Sequence, residues 1–293
     1  MVSILKKRFK IFKLVILTIL SFIIIITAYI IANQYVITTS KYSIESDRVK
    51  NDIKIAVISD LHGRDFGNDN NIIVNKISKE KPDLIAVIGD MIDEYTENDE
   101  AVLNTLKPLP EIAPTYYSIG NHDYLYSDYD NYIKTLESSG VVILNDETTK
   151  LTVGENKLTL LGLSNYSFGE VENPMYTELM KELCENDDLR IMLCHYPEFT
   201  PWFFGQDLYY ESDFELMLSG HTHGGLVRLP FFGGLYAPNQ GLFPEYSKGL
   251  YYIDKENKNP YHMLVTGGLG PDTRFIRINN FPEISFITVR PVK

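Results

Sequence analysis

The sequence predicts an α/β protein in which two packed, mixed β-sheets are flanked by helices, after one N-terminal transmembrane helix. Three observations support this fold class: an uncharged apolar run near the N-terminus, a first half in which apolar and amphipathic segments alternate, and a strand-rich second half. The chain has 293 residues, of which 44% are hydrophobic. Without the apolar run, this length suits one large domain with a complete core.

The apolar run is Leu14–Ala32, which contains 19 residues and no charge. As a helix it would reach about 28 Å, which is close to the hydrocarbon thickness of a bilayer. A buried core helix is one alternative, but such a helix usually has a polar face. A cleaved signal peptide is another, but the following residues 33–36 (NQYV) offer no small-x-small cleavage site. The run therefore predicts an uncleaved membrane anchor.

The charges on either side of the anchor predict its orientation. Every charged residue before it is basic: Lys6, Lys7, Arg8, Lys10 and Lys13. The segment after it carries three basic and three acidic residues within residues 33–52. The positive-inside rule then places the N-terminus in the cytoplasm and the bulk of the chain outside it. We expect a basic cytoplasmic tail (1–13), a transmembrane anchor (14–32), an extended stalk (33–52) and one extracytoplasmic domain (53–293).

Charge and cysteine content exclude some classes of partner and scaffold. The formal charge is −12, and subtracting the five basic residues of the tail leaves −17 for the rest of the chain. Such an acidic body repels phosphate backbones, so we expect no nucleic acid polymer as a partner. The two cysteines, Cys184 and Cys194, cannot form a disulfide framework, and Cys194 lies in an apolar run that predicts a buried thiol. We expect the chain to act as a monomer.

Strand and helix patterns alternate after residue 52. In the first half, the predicted strands are Ile53–Ser59, Leu84–Ile88, Pro114–Ile119 and Val141–Leu144. The predicted helices between them are Asn71–Lys79, Glu97–Leu106 and Asp128–Ser138. In the second half, the predicted strands are Leu158–Leu163, Ile191–Cys194, Glu215–Leu218, His262–Thr266 and Ile284–Val289, with one helix at Met175–Glu185. The βαβ rhythm indicates a parallel sheet covered by helices, and the strand-rich half indicates a second sheet packed on it.

Polar residues cluster where these strands end. The clusters are DLH (60–62), GD (89–90), GNHD (120–123), His195 and GHTHGG (220–225). Five of the six histidines lie in them, and His262 falls elsewhere. Since ligands bind at the carboxyl ends of strands in open α/β sheets, we expect these loops to converge on one site.

The residue types in these loops indicate a metal site. Carboxylate, imidazole and amide oxygen together suit divalent Mn, Fe, Zn or Co. No cysteine lies in the loops, which excludes a thiolate-type structural zinc site. An Asp and a His two positions apart in an extended loop, as in Asp60 and His62, can both face one ion.

The ordered set DLH, GD, GNHD, the His of LCHYPE and GHTHGG resembles the signature of the calcineurin-like metallophosphoesterases. That family implies a four-layer αββα fold and two divalent metal ions per chain. The stretch GHTHGGLVRLPFFGGLYAPNQGLFPEYSKGLYY looks like a subgroup containing membrane-associated phosphodiesterases and UDP-2,3-diacylglucosamine pyrophosphatase-like enzymes. The segment LVTGGLG (264–270) matches that subgroup only loosely.

The resemblance also implies a role for each site residue. The implied ligands are Asp60, His62, Asp90 and His223 for the first metal and Asp90, Asn121, His195 and His221 for the second, with Asp90 bridging. His122 would contact the phosphoryl oxygen or the leaving group, and Asp123 would orient His122. Two ions sharing one water would lower its pKa and aim it at phosphorus.

These features together predict a membrane-anchored two-metal hydrolase that cleaves phosphodiester or pyrophosphate bonds by attack of a metal-bridging hydroxide. The anchor favours a lipid-linked or cell-envelope substrate, because tethering raises the local concentration of membrane substrates. A UDP-diacylglucosamine-type substrate would require a cytoplasmic site, whereas the charge asymmetry favours an external one. The alternatives are a phosphoprotein or phosphomonoester phosphatase, and a metal-binding receptor without turnover.

Overall fold

The computed structural model describes residues 2–164, 174–198, 213–254, 259–271 and 276–292. Its helices are α1 Val2–Tyr35, α2 Asn71–Glu80, α3 Glu100–Leu106, α4 Tyr129–Ser138 and α5 Pro174–Cys184. The strands before α5 are β1 Thr38–Ser46, β2 Ile53–Ile58, β3 Leu84–Ile88, β4 Thr115–Ser118, β5 Val142–Leu144, β6 Glu147–Val153 and β7 Asn156–Leu163. The later strands are β8 Leu189–Cys194, β9 Leu216–Ser219, β10 Arg228–Leu229, β11 Gly233–Gly234, β12 Tyr236–Ala237, β13 Gly241–Leu242, β14 Gly249–Ile253, β15 Tyr261–Val265 and β16 Glu283–Pro291.

Two six-stranded sheets form the centre of the domain. The first has the order β1-β16-β2-β3-β4-β5, in which β2 to β5 run parallel and β16 runs antiparallel to β2. The second has the order β14-β15-β9-β8-β7-β6, with a parallel centre and antiparallel edge strands. Both sheets are therefore mixed, as the sequence predicted.

Alternating side chains of each strand enter different cores, because successive residues of a strand face opposite sides of the sheet. In β2, Ile55 and Val57 face the second sheet and pack in one core cluster with residues of β7, β8 and β9. Ala56 and Ile58 face the other way and pack with α2, α3 and α4. The outer face of the second sheet packs against α5. The layers are thus helix, sheet, sheet and helix, which confirms the predicted fold.

The structure corrects the prediction of an extended stalk at residues 33–52. Strand β1 pairs with β16 in register over its whole length, so this segment is the edge of the first sheet. Its sequence, TTSKYSIES, alternates exposed positions with more buried ones, which gives only a weak strand signal. Ile44 and Val49 still enter the core between the sheets. The domain therefore begins within a few residues of the helix that precedes it.

Helix α1 extends beyond the predicted anchor at both ends. Its segment Lys6–Tyr35 is long and apolar enough to span a membrane, and the most apolar part of this segment is not buried against any described part of the chain. At its C-terminal end, however, the helix contacts the domain. Asn33 is fully buried, and its Oδ1 accepts a hydrogen bond of 2.7 Å from the Asn280 amide.

Candidate metal centre

Strands of both sheets end at one place. Asp60 follows β2, Asp90 follows β3 and Asn121 follows β4 in the first sheet. His195 follows β8 directly, and the loop of His221 and His223 follows β9, in the second sheet. Because these strands are parallel within each sheet, their carboxyl ends lie at the same edge.

Six of the seven predicted ligands fall into two compact groups. Asp60, His62 and His223 form one group, and Asp90, His195 and His221 form the other. Within each group the candidate ligand atoms all lie within 4.8 Å of one another. The two groups also face each other, since Asp90 Oδ2 lies 2.9 Å from Nε2 of His195 and 3.9 Å from Nε2 of His62.

Hydrogen bonds on the far side of three imidazole rings fix their orientation. Nδ1 of His62 lies 3.1 Å from Asp93 Oδ2, and Nδ1 of His195 lies 2.7 Å from the Ile88 carbonyl. Nδ1 of His223 lies 3.4 Å from the Gly270 carbonyl. Such contacts hold the tautomer with the proton on Nδ1, which leaves Nε2 as the nitrogen that can bind a metal.

The backbone around the site adopts conformations that side chains rarely permit. Five of the candidate ligands have a positive φ: Asp60 (52°), His62 (50°), Asp90 (52°), His221 (67°) and His223 (46°). Each such conformation is sparsely populated for a non-glycine residue and persists only where the surroundings enforce it. Loop packing is also tight, since a Cβ on Gly120 would lie 2.2 Å from Asp90 Oδ1. The fold thus holds the candidate ligands in strained loops, as functional sites often do.

Burial and neighbouring charges shift the pKa values of the individual site residues in opposite directions. Burial opposes ionisation of Asp90, but the charge of His195, whose Nε2 lies 2.9 Å from Asp90 Oδ2, outweighs it and lowers the pKa of Asp90 below its usual value. Burial likewise opposes protonation of His195, but Asp90 and then Asp60 outweigh it and raise the pKa of His195 to about 10. Burial, with the nearby histidine charges, holds the pKa values of His221 and His223 well below the ordinary value. Those two rings are therefore neutral at neutral pH, as ligation requires.

Buried polar atoms without partners show that the residues fit a pair of metal ions. Among the described residues, no hydrogen-bond partner of good geometry reaches His62 Nε2, His195 Nε2 or Asn121 Oδ1. Such atoms are costly in a protein interior unless something binds them. Their chemistry, imidazole nitrogen with carboxylate and amide oxygen, matches divalent transition metals.

A family model described as calcineurin-like phosphoesterase matches residues 53–225, which include all of these loops. The chain belongs to the calcineurin-like phosphoesterase family. It is 29% identical over 240 residues to Phosphodiesterase YaeI of Escherichia coli, covering 80% of this chain and 81% of that protein. It is 27% identical to the uncharacterized metallophosphoesterase YkuE of Bacillus subtilis, covering 87% and 86%. A transmembrane protein with metallophosphoesterase domain from Bos taurus is 28% identical, covering 69% of this chain and 49% of that protein.

In this calcineurin-like phosphoesterase, His122 lies beside the two groups. Its ring packs edge-on against His62 at 5.1 Å between centroids, and its backbone amide donates to Asp90 Oδ1 at 2.7 Å. The side chain remains 30% exposed, so it can reach a substrate. Nδ1 of His122 lies 2.9 Å from Glu94 Oε2.

The structure gives Asp123 a different place from the predicted one. We predicted that Asp123 orients His122, but the carboxylate that contacts the His122 ring is that of Glu94. Asp123 is fully buried beneath the loops. It accepts hydrogen bonds from the backbone amides of Gly120, Asp90, Met91 and Ile92 and from the Tyr117 hydroxyl. Asp123 therefore ties the GNHD loop to the GD loop.

Four residues around the site were missed from the sequence. Asp93 and Glu94 follow Asp90 within four positions, and that short acidic run (GDMIDE) was the available signal. Glu198 is buried, and its Oε1 lies 3.9 Å from Nε2 of His221. Arg277 is also buried, donates to the carbonyls of Gly267 and Gly270, and lies at hydrogen-bond distance from that of His223. Nothing near Arg277 in the sequence pointed to this role. His262, predicted to lie outside the site, is in β15 beside Tyr252.

Proposed function

We propose that this phosphoesterase is anchored in a membrane by α1 and hydrolyses phosphodiester or pyrophosphate bonds of lipid-linked or cell-envelope substrates. The main support for the proposal is that two groups of candidate metal ligands face each other. The domain that contains them is connected to the end of α1 by hydrogen bonds. The name of one relative, Phosphodiesterase YaeI, supports diester chemistry. The name of another, a transmembrane protein with metallophosphoesterase domain, supports membrane association.

The residues of the site divide the chemistry among them. Asp60, His62, Asp90 and His223 would hold one divalent ion, and Asp90, Asn121, His195 and His221 the other, with Mn the first candidate among Mn, Fe, Zn and Co. When bound, such ions supply an activated water and neutralise charge on the phosphoryl oxygens. His122 delivers a proton to the leaving oxygen, and Glu94 holds the ring of His122 in place. Asp123 keeps the backbone of Asp90 and Gly120 rigid by accepting hydrogen bonds from their amides.

The link between α1 and the site supports a membrane substrate. Gln34, at the end of α1, donates through Nε2 to the Arg277 carbonyl at 2.6 Å and accepts at Oε1 from the Arg277 amide at 3.1 Å. The guanidinium of Arg277 in turn reaches the carbonyl of the candidate ligand His223 at 3.5 Å. The anchor and the centre are thus separated by one residue, and a tethered site meets membrane substrates at high local concentration.

A substrate comparison on the full-length protein tests this function. We would strip the purified protein of metal, reload it with Mn and assay a soluble phosphodiester, a phosphomonoester and a lipid pyrophosphate in mixed micelles. We expect metal-dependent turnover of the diester or the pyrophosphate, and none with the matched His223→Ala variant. Turnover of the monoester alone would favour a phosphatase. No turnover in a sample with both ions bound would favour a metal-binding receptor.

The external position of the domain needs a separate experiment. The prediction that the domain lies outside the cytoplasm rests on the five basic residues before the anchor, because the segment after the anchor is balanced in charge. Protease added to intact cells stripped of their wall should degrade the domain and spare a cytoplasmic marker. Equal protection of both would place the site in the cytoplasm and favour a nucleotide-lipid substrate.

A further inference from the structure

Two short hairpins next to the metal centre expose large apolar side chains. In the first, which we call the aromatic hairpin (residues 228–234), β10 and β11 are joined by a tip that contains Phe231 and Phe232. These side chains are 106% and 76% exposed. In the second, β12 and β13 lead to Leu242 and Phe243, which are 69% and 61% exposed. Contiguous exposed apolar residues of this size mark an interaction surface.

The backbone at the tip of the aromatic hairpin indicates that the exposure is enforced. Phe231 has φ of 70°, a conformation that is a genuine outlier for a bulky residue. Phe243 has φ of 55°. Because strained backbone conformations are concentrated at functional sites, the outward position of these aromatic side chains suggests a function for them.

We propose that the aromatic hairpin, with Leu242 and Phe243, docks into the surface of the membrane that holds α1, which rests on the membrane anchoring of the proposed function. The occupant of this surface is the lipid bilayer. An amphipathic surface of aromatic and aliphatic groups binds there by burying them at the boundary between headgroups and acyl chains.

Asn279 joins the aromatic hairpin to the membrane helix. The Tyr29 hydroxyl of α1 donates to Asn279 Oδ1 at 2.8 Å, and Asn279 Nδ2 donates to the Arg228 carbonyl at 3.1 Å. The Arg228 amide donates to the Ile278 carbonyl at 3.0 Å. The base of the hairpin is therefore fixed beside Tyr29.

The position of Tyr29 gives the depth of the hairpin. Tyr29 lies three residues before Ala32, the end of the apolar run, and so about 4.5 Å inside that end along the helix axis. Tyrosine is enriched at this level of a bilayer. The tip at Phe231 is three residues from Arg228, within about 10 Å at full extension. The aromatic side chains thus lie within reach of the interface that α1 crosses.

The aromatic hairpin also packs directly on the loop of the metal centre. A Cβ added to Gly225 would lie 2.4 Å from the Cα of Gly234, so only glycine permits this contact. Arg228 Nη1 donates to the Gly224 carbonyl at 2.7 Å, and the Leu235 amide donates to the Gly225 carbonyl at 3.2 Å. Since His221 and His223 are in the same loop, a docked hairpin holds the centre close to the plane of the lipid headgroups. A centre at this position is close to phosphate esters in the headgroup region of the bilayer, which are the substrates that we propose.

An environment-sensitive fluorophore on the full-length chain in vesicles tests the docking. We would label Phe231→Cys and, separately, Leu242→Cys, in a Cys184→Ser background because Cys184 is only partly buried. The matched control is Tyr252→Cys, an exposed aromatic position toward the end of β14 that lies away from the site. The vesicles contain phosphatidylglycerol and phosphatidylethanolamine, with or without a lipid carrying a nitroxide near the top of its acyl chain.

We expect a blue shift and nitroxide quenching at positions 231 and 242, and neither at 252. Water-like emission at 231 and 242 would overturn the docking, as would a shift that depends on protein density and ignores the nitroxide, since a second copy would then cover the surface. Quenching at all three positions would also overturn it. The same samples are assayed for Mn-dependent hydrolysis of bis(p-nitrophenyl) phosphate. Activity without quenching refutes only the docking, whereas quenching without activity refutes only the proposed function.

Discussion

Glu94 Oε2 lies 2.9 Å from Nδ1 of His122, so the carboxylate that faces this histidine comes from the loop after β3. The adjacent Asp123 is turned inward and bound by backbone amides. A hydrogen bond from Nδ1–H to Glu94 fixes the ring and leaves Nε2 as the nitrogen for the substrate. The pair has the geometry of a proton donor with its positioning residue.

Replacing His122 with Ala should leave both metal ions bound and slow the chemistry. The ring belongs to neither ligand group, and only its backbone amide contacts Asp90. Turnover of a phosphodiester with a poor leaving group should fall about 10²–10⁴-fold, as expected for the loss of a general acid. An activated aryl ester needs less proton transfer and should suffer less. Metal content and both rates should be measured on one preparation, and a parallel loss of metal and activity would make His122 a ligand.

Replacing Glu94 should reduce the contribution of His122 to turnover without changing the number of metal ions bound. Glu94→Ala should slow the poor-leaving-group substrate roughly 10- to 100-fold, the range expected when a catalytic group shifts by about 1 Å. Glu94→Gln, whose amide oxygen still accepts from Nδ1–H, should recover most of the rate. In the His122→Ala background, Glu94→Ala should have no further effect. Additive losses in that double variant would show that Glu94 acts independently of His122.

Asp123→Ala should instead destabilise the protein and affect all substrates alike. It would strip several buried backbone amides of their acceptor, each at about 1–3 kcal/mol. The matched Tyr117→Phe variant removes one donor to Asp123 Oδ1 and should cost only about 1 kcal/mol. Thermal unfolding with and without metal measures both. A selective loss on the poor-leaving-group substrate, with an unchanged melting temperature, would restore the predicted catalytic role of Asp123.

The sequence was informative where its signals were local. Leu84–Ile88 is a run of five buried apolar residues between turn signals, and the predicted strand matches the observed one. The loops of the candidate ligands could be proposed from the sequence because metal chemistry restricts which residues can serve, and the structure brings these loops together. Strand β1 was missed because its inward residues include Ser40 and Tyr42, whose burial depends on the distant partner β16. Asp123 was predicted to contact the His122 ring and Glu94 was missed, because only the folded structure decides which carboxylate reaches that ring.

Other features lay beyond any local pattern. Arg277 holds the loops at Gly267, Gly270 and His223 across the fold, and a lone arginine carries no such information. The sequence of the aromatic stretch at residues 231–243 is compatible with packing, a substrate pocket or membrane contact, and the structure shows Phe231 and Phe232 exposed. A second aromatic stretch, at residues 202–210, lies outside the described residues.

Glu283 should make the stability of the protein depend on pH in the acid range. It is fully buried in β16, where its carboxylate meets Lys248 Nζ at 2.5 Å and the hydroxyls of Ser40 and Ser285. Burial alone would raise its pKa, but Lys248 and these hydroxyls outweigh burial and lower the pKa below the usual glutamate value. The resulting stability is present above the unfolded pKa of about 4.3 and is lost as pH falls through the lower folded value.

Denaturant unfolding from neutral to acid pH tests this contribution. Glu283→Gln should be less stable at neutral pH by about 3–5 kcal/mol, because Lys248 loses its partner in a mostly buried position. The same variant should show a flatter loss of stability in acid. Glu111→Gln, at an exposed position, serves as the control. An unchanged acid slope in Glu283→Gln would assign the acid sensitivity to other carboxylates.

The sharpest test of the metal centre compares Asp90 with Asp60. Asp90 Oδ2 lies between His195 and His62, which belong to different ligand groups. Asp60 Oδ1 also spans the groups, at 3.8 Å from Nε2 of both His195 and His223. However, both oxygens of Asp60 already accept from the His221 amide, and one also accepts from the Ser59 hydroxyl. Asp90 is therefore the better candidate for the shared ligand.

Elemental analysis after reloading with Mn decides the assignment. We expect two ions per chain in the wild-type protein and in His122→Ala, because His122 is outside both groups. Asp90→Ala should lose both ions, since removing a bridge weakens both sites and leaves their other ligands to repack. Asp60→Ala and His221→Ala should each retain about one ion, because each leaves the opposite group intact. Loss of both ions from Asp60→Ala with one retained by Asp90→Ala would exchange the roles of the two aspartates. A wild-type content of one ion that survives Asp90→Ala would exclude a shared ligand, and with it the two-metal centre.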